Sequence, residues 1–498
     1  MPTLPLVPPL RLSCLLAISL LLSSGFAAEK TPLSPDAETK NLDASLQRIL
    51  RTASIRPALR EDLQRPVDPR LLRIESLGLK ASGFFSGKRH EVRNAAEIEK
   101  LSGKLKPGDQ LILTGSDWKD ARFVFGGEGT PEAPIFIGAE KPDSVVLSGT
   151  SSARFHGSHL VIMNLTFRDG VIAGATRSVL ALGLGKDKPA NHCLVNRVTI
   201  ENFHSAAPAD WKTVLVNYLP VTGSGNTVAN STFAHLKNYG CIISTHDVPG
   251  APMQQLHILN NRFIDRPRLD DDPSPYRYKI IQIGWSGIFS SPAGSLIQGN
   301  LFEDCSSHVE LVSIKASDIF LRANRFVRCL GGVNIRTGDR ALIQDNVFDG
   351  ENRPDTGGLR VAGRDHVIVG NTFTRLRPAA GGQMWPPPKP PTPYLTWTIA
   401  LVAADYEYSG ATDAAYGQIR DTLISHNRFE GNAARIALGS PTPSLSTTQL
   451  MPHNVRIEHN TFSGDGKGNV LYDYTAPELA SPDALASAVL AYNNRFLP

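Results

Sequence analysis

The chain lacks a strong charge bias, a zinc-type cysteine pattern, a collagen-like period and any second long apolar run, and each absence removes a class of protein. The formal net charge is only +4, which does not imply nucleic-acid binding, although a local basic groove can hide within such a balance. The 42 glycines and 36 prolines follow no fixed period; with the modest charge they indicate many turns rather than disorder. The cysteines contain no close pair matched by a second Cys or His pair, so their spacing fits no zinc site.

The one long apolar run lies at the start. Arg11 precedes Leu15–Leu22, and small residues follow at Ser23, Ser24, Gly25, Ala27 and Ala28. A run this short with a small-residue exit reads as a cleaved secretory signal over residues 1–28 rather than a membrane span. Cys14 is poorly placed for lipid attachment at the cleavage point. The expectation is a mature protein that is periplasmic or secreted, not inserted in a membrane, and monomeric. After processing, Cys193, Cys241, Cys305 and Cys329 remain, in a compartment that permits disulfides.

What the chain has in abundance is repetition. Asparagine, one or two residues and then phenylalanine recur at Asn164/Phe167, Asn230/Phe233, Asn261/Phe263, Asn300/Phe302 and Asn324/Phe326. The pattern continues at Asn346/Phe348, Asn371/Phe373, Asn427/Phe429, Asn460/Phe462 and Asn494/Phe496. Short alternating apolar segments precede most of them. Between Phe302 and Phe373 the repeat is 24, 22 and 25 residues, and a period of roughly 20–50 residues marks a solenoid or array. Length alone suggests several domains, but a repeat fold can run this long as one body. Short strands without intervening amphipathic helices exclude βαβ units, and regular leucine spacing for a leucine-rich solenoid is absent. The pattern predicts an all-β, single-stranded, right-handed parallel β-helix over 86–498. Its asparagines should form an amide ladder and its phenylalanines should stack inside.

Residues 29–85 differ. Helical spacing around Leu42, Leu46 and Leu50 predicts an N-terminal extension with a helix, placed to cap the first coil. The Pro-rich stretch 385–394 cannot sit in a ladder, because proline lacks the donor, and is read as a loop insertion.

Equivalent positions on successive coils stand about 4.8 Å apart, which turns spacing into geometry. Lys315, Arg336 and Arg360 lie 11, 12 and 13 residues before Phe326, Phe348 and Phe373, so three cations are expected near one coil position. They either meet solvent, pair with Glu310, Asp339 and Asp365, or line a cleft for a polyanion. Cys305 and Cys329 each follow a repeat phenylalanine by three residues and should be neighbours, as a disulfide or as two thiols. Cleavage of a uronate polymer by elimination needs neutralisation of the carboxylate, a base for the α-proton and an acid for the leaving oxygen. A lysine whose pKa is depressed by crowding can serve as base.

The stretch from about Glu91 to Leu376 resembles polysaccharide lyase family 6, the chondroitinase-B and alginate-lyase group. The resemblance is carried by Lys106-Pro-Gly-Asp109, Gly129–Ala139, Val146-Leu-Ser-Gly149 and Asn164–Gly170. It continues through Val309–Lys315, Asn334-Ile-Arg-Thr-Gly338 and Gly357–Gly363. It implies Lys315 as catalytic base, Arg336 as catalytic acid and Arg360 as a substrate-contacting arginine. It also implies a calcium ion held by one asparagine and two glutamates, and here the chain departs from the pattern. Tyr276 stands for the asparagine and His308 for the first glutamate, leaving only Glu310; Thr337 stands where a histidine commonly follows the arginine.

One carboxylate with a histidine and a tyrosine poorly suits a cation that takes about six to eight oxygens. The expectation is therefore that no cofactor is needed and that Lys279 or His308 neutralises the carboxylate. The acidic run Asp270–Asp272 is a rival calcium site and otherwise a solvated loop. The partner expected is an acidic polysaccharide, alginate before dermatan-type chains. A non-catalytic polysaccharide-binding β-helix is the alternative. A pectin-type hydrolase is disfavoured because no two aspartates share a coil position.

Overall fold

The fold is taken from a computed structural model that describes residues 35–55, 57–58, 68–75, 83–115, 118–173, 177–245, 254–269, 278–284, 291–378, 398–402, 404, 416–432, 436–440, 450–464, 471–473 and 489–497. The signal-like residues 1–28, Tyr276, Asp270–Asp272 and the loop 385–394 all lie outside them.

Each coil contributes one short strand to each of three parallel sheets, which in the order the chain visits them hold 14, 14 and 13 strands among the described residues. The sheets form in this order because the corners are written into the sequence. The residue before each ladder asparagine takes a left-handed backbone, as at Asn260, Gly299, Ala323, Asp345, Gly370, His426, His459 and Asn493. That conformation turns the chain sharply between the first and second sheets. The next residue is then the buried asparagine. Asn324 Nδ2 donates to Asn346 Oδ1 at 2.9 Å, and Asn346 Nδ2 donates to Asn371 Oδ1 at 2.9 Å and to Leu321 O at 2.8 Å. The ladder runs from Asn261 to Asn494. Asn164 and Asn230 stand outside it, because two residues rather than one separate them from their phenylalanines. They bond instead to Ala139 O and to Asn196 Oδ1.

Two residues after the ladder, the phenylalanines fill the interior. From Phe233 to Phe496 every successive pair is stacked, with centroids 4.5–5.4 Å apart. A column of this kind buries large apolar area and holds the rings at a favourable spacing. Asn346→Ala should cost about 1–3 kcal/mol, because it strands buried amide partners on both neighbouring coils. Urea unfolding would measure it, and an unchanged midpoint would deny the ladder a structural role.

Among the described residues, the extension packs along the side of the solenoid. The helix Pro35–Thr52 carries Leu46 and Ile49 onto Leu296, Phe320, Leu342, Val367, Val369 and Leu423, the outer face of the first sheet. Residues from Leu46 onward form one compact unit with the solenoid. Leu71, Leu72 and Phe84 cover the same sheet further up, against Phe136, Val161 and Met163. With both faces covered, first-sheet strands such as Val367-Ile-Val369 read as continuous apolar runs. At the first coil it is the short helix Ala95–Leu101 that sends Ile98 into the core, next to Leu111 and Phe125. The outer face of the second sheet is laced by ion pairs such as Arg328 with Asp304 at 2.7 Å. Cys305 and Cys329 are neighbours as expected, but as free buried thiols. Burial, reinforced by Cys329, pushes the Cys305 thiol well above its ordinary range. No described helix is long and apolar enough to cross a membrane.

Candidate active site

The site is built on the outer face of the third sheet, where the strands Tyr278–Ile283, Ser306–Ile314, Leu330–Ile335, Thr356–Val361 and Ile399–Val402 run side by side. Ile283, Ile314, Ile335 and Val361 are register partners and all point into the core. The next residue on each strand faces outward, because side chains alternate. Lys315 and Arg336 therefore occupy one position on neighbouring rungs.

Arg360 does not share that position. It pairs with Asn334, two residues earlier, and the rung of Arg336 continues to Ala362. Counting back from Phe373 by the 11 residues that separate Lys315 from Phe326 lands on Ala362, so Arg360, at 13 residues, stands two positions short of the rung. An offset of two preserves the face. Arg360 remains on the same surface as the other cations.

Beneath them lies Glu310, with 1% of its surface exposed. Ser313 Oγ and Asn334 Nδ2 each donate to its carboxylate at 2.8 Å, Lys279 Nζ stands 3.4 Å away, and Arg336 Nη1 stands 3.6 Å away. Burial opposes ionisation, but Lys279, Arg336 and Lys315 outweigh it and pull the carboxyl down to about 2. Lys315 is 6% exposed. Burial, joined by the charges of Lys279 and Arg336 against the opposing pull of Glu310, brings its ammonium down to about 8. That places a lysine near the protonation balance a general base requires.

Arg360 is equally buried, yet none of its three guanidinium nitrogens has a hydrogen-bond partner among the described residues. Its Cζ lies 4.8 Å from the ring centroid of Tyr416, and that of Arg336 lies 5.6 Å from the same ring. The cluster thus holds Lys279, Lys315 and Arg336 about one carboxylate, with Arg360 joined to it through the ring it shares with Arg336, an excess of positive charge. None of them reaches Asp339 or Asp365. Asp339 pairs with Arg364 at 3.2 Å, and Asp365 accepts from the Ala58 amide.

Of the residues singled out by sequence, Lys315, Arg336, Arg360, Lys279 and Glu310 come together. His308 lies on the strand Ser306–Ile314, but its side chain, like all of Tyr276, is outside the described residues. Sequence reasoning missed Ser313, Asn334 and Tyr416. The first two were detectable by alternation, since each stands two residues before a cation on the same face. No spacing rule points to Tyr416, which arrives from a separate connection.

Of the positions that correspond to the family's calcium ligands, only Glu310 has a described side chain, and its carboxylate already receives two hydrogen bonds and two cations. Among the described residues, no three of His, Cys, Asp and Glu stand together as a metal cage.

A sequence profile described as chondroitinase B matches residues 92–383. No curated protein matches the chain. Among solved structures, a mannuronic-acid-specific polysaccharide family 6 lyase from human gut microbiota superposes with a TM-score of 0.69 at 21% identity, covering 82% of this chain and 91% of its own. The family 6 alginate lyase AlyGC gives 0.69 at 24%, with 82% of this chain and 51% of that one covered, so this chain spans about half its length. The family 6 polysaccharide lyase Pedsa3628 of Pseudopedobacter saltans gives 0.66 at 23%, with 82% and 92% covered. At these identities the structural likeness establishes the fold.

Proposed function

Because the chain belongs to the chondroitinase B family and is a polysaccharide lyase, we propose that it is exported and cleaves alginate by β-elimination at the cluster around Lys315. Dermatan-type chains are the second substrate to test. Neutral Lys315 removes the C5 proton of the uronate. The C–H electron pair becomes the C4–C5 double bond, the C4–O4 bond breaks, and Arg336 donates to the departing oxygen, which stabilises or protonates it. Arg360 and Lys279 face the carboxylate and stabilise the charge that builds on it as the proton leaves.

The single observation that carries this reading is the shared rung of buried Lys315 and half-buried Arg336 over one carboxylate. Most likenesses named above concern uronate lyases, and a mannuronate-specific relative supports alginate as the first polymer to try. The non-catalytic alternative does not survive membership of a lyase family.

The test is the ultraviolet absorbance of the unsaturated product on incubation with alginate, polymannuronate, polyguluronate and dermatan sulfate. No product from any of them would remove the proposed substrates. A chelator such as EDTA is expected to leave the rate unchanged, because Lys279 occupies the neutralising position. Loss of activity with EDTA, restored by calcium, would show that Lys279 does not replace the metal.

A further inference from the structure

Many of the described arginines are held by acids. Arg340 is clamped by Asp318 at 2.7 Å, Arg364 by Asp339 at 3.2 Å, and Arg328 by Glu303, Asp304 and Glu351. Arg360 is held differently. It is 4% exposed, no acidic group among the described residues is paired with it, and it faces the ring of Tyr416. Arg336 lies over the same ring. The ring is itself fixed, being buried against Ala362 and Val402, the outer flank of two site strands.

The difference matters chemically. A carboxylate clamp fills the N–H edge of a guanidinium and cancels its charge, so little is left for an incoming anion. An aromatic face attracts the cation through its π-surface and leaves the N–H edge in the plane unoccupied. A buried guanidinium with open donors is expensive to maintain, and a site that keeps one has a use for those donors.

We propose that Tyr416 is a positioning residue. Its ring is the platform that holds Arg360 in place without neutralising it, so that its N–H edge meets the uronate carboxylate, while Arg336, already paired with Glu310, rests on the same face. The ring does this work, not the hydroxyl, which is buried and has no partner among the described residues. This inference rests on the lyase reading above.

The test compares Tyr416→Phe, Tyr416→Leu and Tyr416→Ala in the full chain. Phe keeps the platform and should stay within about threefold of the parent in kcat/KM, whereas Leu and Ala should lose about tenfold or more. The loss should fall mainly on KM, because Arg360 contacts the bound carboxylate. Calorimetric titration with a mannuronate tetrasaccharide gives a second readout that needs no turnover, and the same order Tyr ≈ Phe, then Leu, then Ala is expected. If the alanine variant does not melt cooperatively, the leucine variant carries the comparison alone. A leucine variant as active and as tight-binding as the parent would overturn the platform. A phenylalanine variant as poor as leucine would transfer the role to the hydroxyl and overturn it equally. If the parent makes no unsaturated product, the substrate assignment fails, and the binding series still decides the platform separately.

Discussion

Lys315→Ala is expected to lower kcat by about a hundred- to ten-thousand-fold, the usual contribution of a positioned general base, while the circular dichroism spectrum and melting temperature stay close to the parent's. The side chain points away from the core and bonds no ladder, so its loss removes chemistry rather than packing. Lys315→Arg should be as inactive. A guanidinium preserves the charge but does not release its proton at accessible pH, and this separates a base from a merely attractive cation. The pH dependence follows from the same crowding. With the ammonium brought down to about 8, the neutral, proton-accepting form grows as pH rises through that value, so the parent's rate should climb across it. The residual activity of the alanine variant should lack that rise. A variant that retains turnover, or a parent whose rate falls through the same window, would remove Lys315 from the reaction.

Glu310→Gln should destabilise the protein by about 3–5 kcal/mol, the scale on which one member of a buried ion cluster is missed. Glutamine keeps the shape and can still accept from Ser313 or Asn334, but it leaves Lys279, Lys315 and Arg336 crowded without a counter-charge. The sign with pH is set by the depressed carboxyl, which falls from an ordinary 4.5 to about 2. The stability this group contributes is complete above about 4.5 and is lost as pH falls toward about 2. Chemical unfolding of parent and variant at neutral pH and at pH near 3 measures both effects; the gap between the two proteins should narrow in acid. An equal stability of the two at neutral pH would mean the cations are relieved by some other route.

The solenoid was legible because its signals are local and repeated. An asparagine two residues before a phenylalanine needs only the chain to be read, and the column from Phe233 to Phe496 follows directly. The pairing of Lys315 with Arg336 was legible for a similar reason, since the intervening coil is short. Arg360 went astray by two positions because its spacing of 13 residues from Phe373 was grouped with spacings of 11 and 12, when 11 falls on Ala362. The helix around Leu46 was recognised, but its docking face was not. An amphipathic stripe states that it needs an apolar partner and gives no sign of which of three sheets offers one. Tyr416 was invisible for the same reason, its role being created by the partners it meets across the coil.

The docked extension has a consequence for the order in which the protein is assembled. Repeat folds ordinarily wind up coil by coil, each resting on the one before. Here Leu46 and Ile49 touch surfaces formed by Leu296 through Leu423, and the Ser54 amide reaches Glu458. A segment synthesised early has its partners on coils synthesised well after it. It must wait, undocked, until the late coils are wound, and its arrival then bolts coils that otherwise meet only their neighbours. Opening one of the bridged coils afterwards means lifting that brace from all of them.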